Sequence, residues 1–272
     1  MKIIPKWHTN IKYWRSLNTL IFGKRLTCPR CGSIEMKENY DGRYVWCKQC
    51  RSKHRYSSHK VSFLYGCKLQ PKQLYQLIWC FIHKTSIETM RGLTGLSYVS
   101  IDRWLKRFRE NIPYDKSLEA KLSGVIKVDE SFFGKQRSKQ DQVIVIGAIN
   151  ADSGHIRLET IQNRNRDTLE DFILRNIEKG STIVTDSWKG YLYLHSLGYN
   201  HIAFNHQEGE FAHTNQIEGL WSEIKNSMRR THHNILTKDL DLILREWEAR
   251  HNKPLVFSSP ELFLKSCLFH FS

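Results

Sequence analysis

The 272-residue chain has no apolar run near the roughly 18 residues that a membrane-spanning helix requires. Its opening, "MKIIPKWHTNIKYW", lacks a continuous apolar core and a small-residue cleavage site, so no secretion signal is expected. No stretch reads as a separate nuclear address. The expected setting is therefore a bacterial cytoplasm, with the nucleus only for a eukaryotic host, where cysteines stay reduced. Acidic residues are scarce in one region only. Residues 1–115 carry 22 Lys and Arg against 7 Asp and Glu, whereas 116–272 carry 20 of each, so the whole net charge of +15 lies in the first part. Charge serving solubility alone would be spread more evenly. A polyanion-gripping module joined to a neutral one is the better reading. No basic amphipathic helix stands alone, which favours nucleic acid over a membrane surface as the partner.

The basic region contains "CPRCGS" and "VWCKQCR". Cys28, Cys31, Cys47 and Cys50 have the C-x2-C…C-x2-C spacing of a structural zinc site. Each pair forms a tight turn that aims two thiolates at one point, and two turns complete a tetrahedron. The alternative is two redox pairs or buried free thiols, but two spaced pairs in a reducing compartment favour zinc. Cys67, Cys80 and Cys267 have no such spacing, and Cys80, in "LYQLIWCFIH", reads as core. Arg51, Lys53 and Arg55 beside the second pair are candidate phosphate contacts. Trp46 reads as the small core that such a ribbon needs.

Helical signals follow. Pro71 suits a first turn, with Leu74, Leu77, Ile78 and Phe81 on one face. Ser86 caps a short second helix that Gly95 ends, and Ser97 caps a third bearing Ile101, Trp104, Leu105 and Phe108 on its apolar side. Arg103, Lys106, Arg107 and Arg109 lie on its other side. This order matches a helix-turn-helix, whose second helix enters the major groove of double-stranded DNA. A merely solvated basic face is the competing interpretation.

From residue 124 the pattern changes. "GVIKVDESFFG", "QVIVIGAINAD" and "HIRLETIQNR" read as three strands, "DTLEDFILRNI" as a helix, "STIVTDSW" as a fourth strand, "WKGYLYLHSLG" as helical and "HIAFNH" as a fifth strand. Two helices follow, "TNQIEGLWSEIKNSMRRTH" and "KDLDLILREWEARHN". This is the order of an RNase H-like α/β fold, a mixed sheet flanked by helices. Other α/β folds share the coarse order. In the RNase H-like arrangement the first and fourth strands are neighbours. Asp129 on the first and Asp186 at the end of the fourth would then meet, with Glu223 brought across by the long helix. Carboxylates gathered at one point repel unless cations neutralise them, and hard oxygen ligands suit two Mg2+ or Mn2+ ions about 4 Å apart. A metal would thus explain Asp129 within an otherwise apolar strand.

The segments "CPRCGS…WCKQC", "VDESFFGK", "VIGAIN", "TDSWKGY" and "HTNQIEGLWSEIKNSMRR" occur in order over nearly the whole chain. In these the sequence resembles DDE-class insertion-sequence transposases of the zinc-ribbon group related to the Merlin elements. The resemblance implies an RNase H-like catalytic domain, binding to terminal inverted repeats, and metal-dependent DNA strand cleavage and transfer. It implies Asp129 and Asp186 as the first two catalytic acids. The third falls on Glu223, followed by Lys225, which could hold a DNA phosphate. Glu218 competes for that place, since residues five apart on a helix lie about 140° around the axis from each other. The implied organisation is an N-terminal segment (1–24), zinc ribbon (25–62), helix-turn-helix-like domain (68–112), linker (113–123), catalytic domain (124–252) and C-terminal tail (253–272).

Other residues carry weaker expectations. Glu130 should point to the opposite strand face, as a support for the site or paired with a lysine. Arg229 and Arg230, with His232 and His233, form a basic helix end suited to a phosphate backbone. His206 and His213 are open between structural and functional roles. Trp188, Tyr191, Trp221 and Trp247 read as packing. The leading expectation is a transposase that acts as a homo-oligomer on repeat and target DNA. The alternatives are a nuclease that cuts without joining and a DNA-binding regulator without activity.

Overall fold

The computed structural model of the chain describes residues 5–50, 56–60, 62–134, 142–204, 215–232 and 239–269. Arg51, Lys53, Arg55, His206, His213 and His233 lie outside these residues. The chain forms two compact units, Met1–Asn111 with Val256–Ser272, and Ile112–Leu255.

The first unit opens with α1 (Asn10–Phe22), whose N-cap Thr9 accepts a hydrogen bond from the Lys12 backbone N–H. A hairpin of β1 (Met36–Glu38) and β2 (Val45–Cys47) follows, three antiparallel pairs long. The three expected helices are α2 (Pro71–Ile82), α3 (Ile87–Thr94) and α4 (Tyr98–Glu110). Their ends obey local chemistry. Pro71 starts α2, and Ser86 and Ser97 each accept a backbone N–H at the start of α3 and α4. Gly95 closes α3 at φ 68°, a left-handed conformation that favours glycine. Leu74, Leu77, Ile78 and Phe81 of α2 are buried, with Ile101, Trp104, Leu105 and Phe108 of α4. Cys80 is fully buried among them.

The second unit carries β3 (Val125–Phe133), β4 (Val143–Asn150), β5 (Ile156–Ile161), α5 (Arg166–Asn176), β6 (Thr182–Asp186), β7 (Asn200–Phe204), α6 (Asn215–His232) and α7 (Leu240–Asn252). Its sheet has the order β5-β4-β3-β6-β7. β3, β4 and β5 run antiparallel, while β6 and β7 continue parallel to β3. An antiparallel meander extended by parallel strands, with helices on both faces, is the RNase H-like topology. Strand alternation builds the two cores. Ile126 and Val128 of β3 face Phe172 and Ile173 of α5, whereas Phe133 joins Trp221, Ile224 and Trp247 of α6 and α7.

Three segments differ from the sequence reading. "WKGYLYLHSLG" forms two short 3-10 turns, Lys189–Tyr191 and Leu194–Leu197, because the chain bends to bury Tyr191 and Leu194 under the sheet. Residues 113–123 are not a free connection. Tyr114 and Leu122 are buried, and Arg157 donates to the Ala120 carbonyl at 2.6 Å. Within 253–272 stands α8 (Pro260–Phe269), which packs on α2. Phe263 lies 5.5 Å from Phe81 and 5.7 Å from Phe108, ring centre to ring centre.

Candidate active site and metal centre

The register of the sheet places the acids. β3 pairs with β6 at Val125–Thr182, Ile126–Ile183 and Lys127–Val184. The pairing ends there, and the same register carried two residues further brings Asp129 and Asp186 to corresponding positions of adjacent parallel strands, on one face of the sheet. That face is covered by α6. Its stripe of Ile217, Leu220, Trp221, Ile224 and Met228 is buried, each side chain contributing about 1.5–3 kcal/mol relative to exposure. Two polar contacts fix how the helix is rotated. The Trp221 Nε1 donates to Asp129 Oδ2 at 3.0 Å, and Lys225 Nζ donates to Ser131 Oγ at 2.6 Å.

This rotation separates the two candidate third acids. Glu218 and Lys225 are seven residues apart, about 20° from eclipsed, so they share the side that meets β3. Glu223 lies about 140° from Glu218 and about 160° from Lys225, turned away from the strand. Burial pushes the Asp129 carboxyl above its ordinary range. The Trp221 and Glu130 N–H groups pull it back, and the charges of Asp186 and Glu218 push it up again. Asp186 and Glu218 are therefore both near enough for their charges to act on Asp129. The three are not tightly convergent, since no set of three acids among the described residues brings its oxygens within 4.8 Å of one another. Hard oxygen donors of this kind, on one face and partly open, fit Mg2+ or Mn2+.

Lys225 is half-buried, and burial first, then Arg229, lowers its pKa, while Asp129 acts to raise it. It lines a cavity of about 420 Å3 with Glu130, Ser131, Phe132 and Arg229. Arg230, also exposed, lies on the adjoining side of α6.

Glu130 occupies the opposite face, as strand alternation requires. Its partners are not lysines. Tyr191 donates its hydroxyl at 2.8 Å and Arg164 lies 3.6 Å away, while the Glu130 side chain is 2% exposed. Burial raises the Glu130 pKa, opposed by the Tyr191 hydroxyl and Arg164. Arg164 in turn stacks 4.4 Å over Trp188, whose backbone N–H is held by Asp186 Oδ1 at 3.0 Å. Tyr191→Phe removes a donor from a buried carboxylate. The variant is expected to lose about 1–3 kcal/mol in urea unfolding, and a loss below about 0.5 kcal/mol would contradict this role.

In the first unit the four thiols lie within 4.8 Å of one another, with Cys28–Cys50 at 3.9 Å and Cys31–Cys47 at 3.7 Å between sulfurs. A tetrahedron with Zn–S bonds of about 2.3 Å has S–S edges of about 3.8 Å, so the cluster fits zinc. Thiols this close cannot all ionise independently. Burial raises the Cys28 thiol, but N–H groups of Arg30 and Cys31 and the neighbouring thiols bring it down to about 6. Hydrogen bonding with Cys31 and burial push Cys50 up to about 12. On α4, Arg103 and Lys106 are exposed. Arg107 donates to the Tyr65 carbonyl at 2.7 Å, and Arg109 is buried rather than presented outward.

Strand order, with helices on both faces of the sheet, gives the second unit an RNase H-like core. Residues 121–252, just under half of the chain, match the family described as the ISXO2-like transposase domain, and this match lies within the second unit. No curated protein matches the chain in sequence. Among solved structures, the integrase catalytic core domain of HTLV-2 in complex with magnesium is similar in two forms. The trimeric form is 13% identical with a TM-score of 0.34, over 48% of this chain and 87% of that one. The dimeric form is 13% identical with a TM-score of 0.35, over 49% and 88%. A simian T-cell lymphotropic virus intasome in complex with PP2A regulatory subunit B56 gamma is 17% identical with a TM-score of 0.33, over 49% and 51%. The fold class rests on the strand order itself, not on these likenesses.

Proposed function

We propose that the chain is a transposase that recognises the terminal inverted repeats of its element and cuts and joins DNA strands at Asp129, Asp186 and Glu218. The observation that carries this reading is the register of β3 and β6, which runs toward Asp129 and Asp186 on one face, with α6 held over that face by Trp221 and Lys225. Glu218 rather than Glu223 is the third acid, because it stands on the side of α6 that meets β3. Two divalent cations, Mg2+ or Mn2+, would activate the attacking oxygen and stabilise the leaving one. The carboxylates supply oxygen ligands on one face. Lys225, beside Ser131, is placed to hold a phosphate and so orient the scissile bond, and Arg229 extends this positive edge along the same cavity. Water attacks phosphorus in line to cut the element's end, and the freed 3′-hydroxyl then attacks target DNA.

The cysteine cluster holds one structural zinc. The ribbon and α4 grip double-stranded DNA, with Arg103 and Lys106 turned outward for it. Arg109 is left out of this set because it is buried. Arg230 joins it at the end of α6, and Arg51, Lys53 and Arg55 complete it on sequence grounds. Joining two element ends at once requires at least two copies of the chain on DNA. A strand-transfer assay with the flanking repeats and Mg2+ tests the whole reading, with joined product as the expected result. Cutting without joining would make the protein a nuclease. Repeat binding without cleavage would make it a regulator.

A further inference from the structure

Trp221 and Gly147 are linked by geometry that packing alone does not explain. Gly147 pairs directly with Asp129 across β3 and β4. A Cβ at Gly147 would come within 2.5 Å of the Trp221 ring at Cη2 and 2.7 Å at Cζ2. Real Cβ atoms do not approach so closely, so the indole lies where only glycine leaves room. Its N–H thereby reaches Asp129 Oδ2 at 3.0 Å. The same ring stands edge-on to Phe133, 6.1 Å between centres, which further restricts its tilt. Trp221 lies three residues after Glu218 and four before Lys225, so its seat also sets the rotation of the helix that carries both.

We infer that Trp221 is a positioning residue for Asp129, holding Oδ2 so that the carboxylate presents a single orientation to a divalent cation, and that Gly147 is present to admit the indole. This rests on the metal-dependent reading of the site. A carboxylate with one oxygen on a fixed N–H does not have to be reoriented when a cation arrives. Hydrogen-bond partners behind metal ligands typically account for 10–100-fold in metal affinity or activity.

The test uses the zinc-loaded full chain. Replacing residue 221 with 3-benzothienylalanine keeps the bicyclic volume and exchanges the N–H for sulfur. Gly147→Ala displaces the indole instead. Mn2+ affinity, measured by calorimetry without DNA, is expected to fall about 10–100-fold in both variants. The kcat for repeat cleavage should fall with KM for repeat DNA unchanged, and the benzothienylalanine variant should melt at the parent temperature. Asp129→Asn, measured alongside, should abolish both Mn2+ binding at this site and cleavage. Parent-like Mn2+ affinity and kcat in the benzothienylalanine variant, with Asp129→Asn inactive, would overturn the positioning role and leave the metal site standing. Undiminished Mn2+ binding by Asp129→Asn would overturn the metal site and the positioning role together.

Discussion

Glu218→Gln is expected to lower strand cleavage at least about a thousandfold, some 4 kcal/mol of transition-state stabilisation, while Glu223→Gln stays within a factor of about two. The contrast follows from how α6 is docked. Trp221 and Lys225 both bond to β3, at Asp129 and Ser131, so the helix cannot rotate without breaking two contacts. In that rotation Glu218 faces the strand edge and its charge reaches Asp129. Glu223 sits about 160° from Lys225, and turning it inward would expose the buried stripe of Ile217, Leu220, Trp221 and Ile224. At about 1.5–3 kcal/mol per side chain, that cost far exceeds anything one carboxylate could recover. Glutamine keeps the volume and removes the charge, so repeat binding should survive in both variants. Single-turnover cleavage of repeat DNA, with binding measured in parallel, checks the prediction. Loss of cleavage in Glu223→Gln with Glu218→Gln active would reverse the assignment.

Cys47→Ser should reduce bound zinc from one per chain to none and disorder the hairpin together with the helix behind it. The hairpin has three residues in each strand, and an isolated two-stranded ribbon is marginal in water. Structural zinc sites supply about 10–16 kcal/mol, so a zinc held by the four thiols would be the main support of so small a ribbon. The damage should spread to α1. Asn18 donates to Gly42 O at 2.7 Å and to Glu38 Oε1 at 2.9 Å, and so depends on the hairpin's shape. Metal analysis should give the zinc loss, and hydrogen exchange should show protection falling in α1, β1 and β2 but not in β3–β7. Repeat binding should fall with it. A variant that keeps these amides protected without zinc would show that the thiols are only a packed cluster.

Much of the site is legible in the sequence because it is local. C-x2-C turns, serine caps at 86 and 97, and the glycine at 95 act through neighbours a few residues away. The alternation around Asp129 likewise announces a strand with one odd, acidic position. The partners of Glu130 are not legible: Tyr191 and Arg164 lie 61 and 34 positions away in the chain, and no periodic pattern links them. Trp221 reads as core, which it is, but its N–H also has a task that depends on a gap in another strand. One signal is present, a glycine inside the apolar run "VIVIGAIN", where a close backbone approach is the usual reason. The helix at 260–269 reads as a tail in the sequence because its partner, α2, lies far away in the chain.

The sequence by itself determined the cysteine spacing, the basic first region and the order of strands and helices, because short-range geometry and periodicity are enough for those. Only the tertiary structure decided which face of α6 meets the sheet, and therefore that Glu218 rather than Glu223 stands on the side facing β3. That placement depends on helix rotation, and here the rotation is set by an indole seated against a glycine 74 residues earlier in the chain.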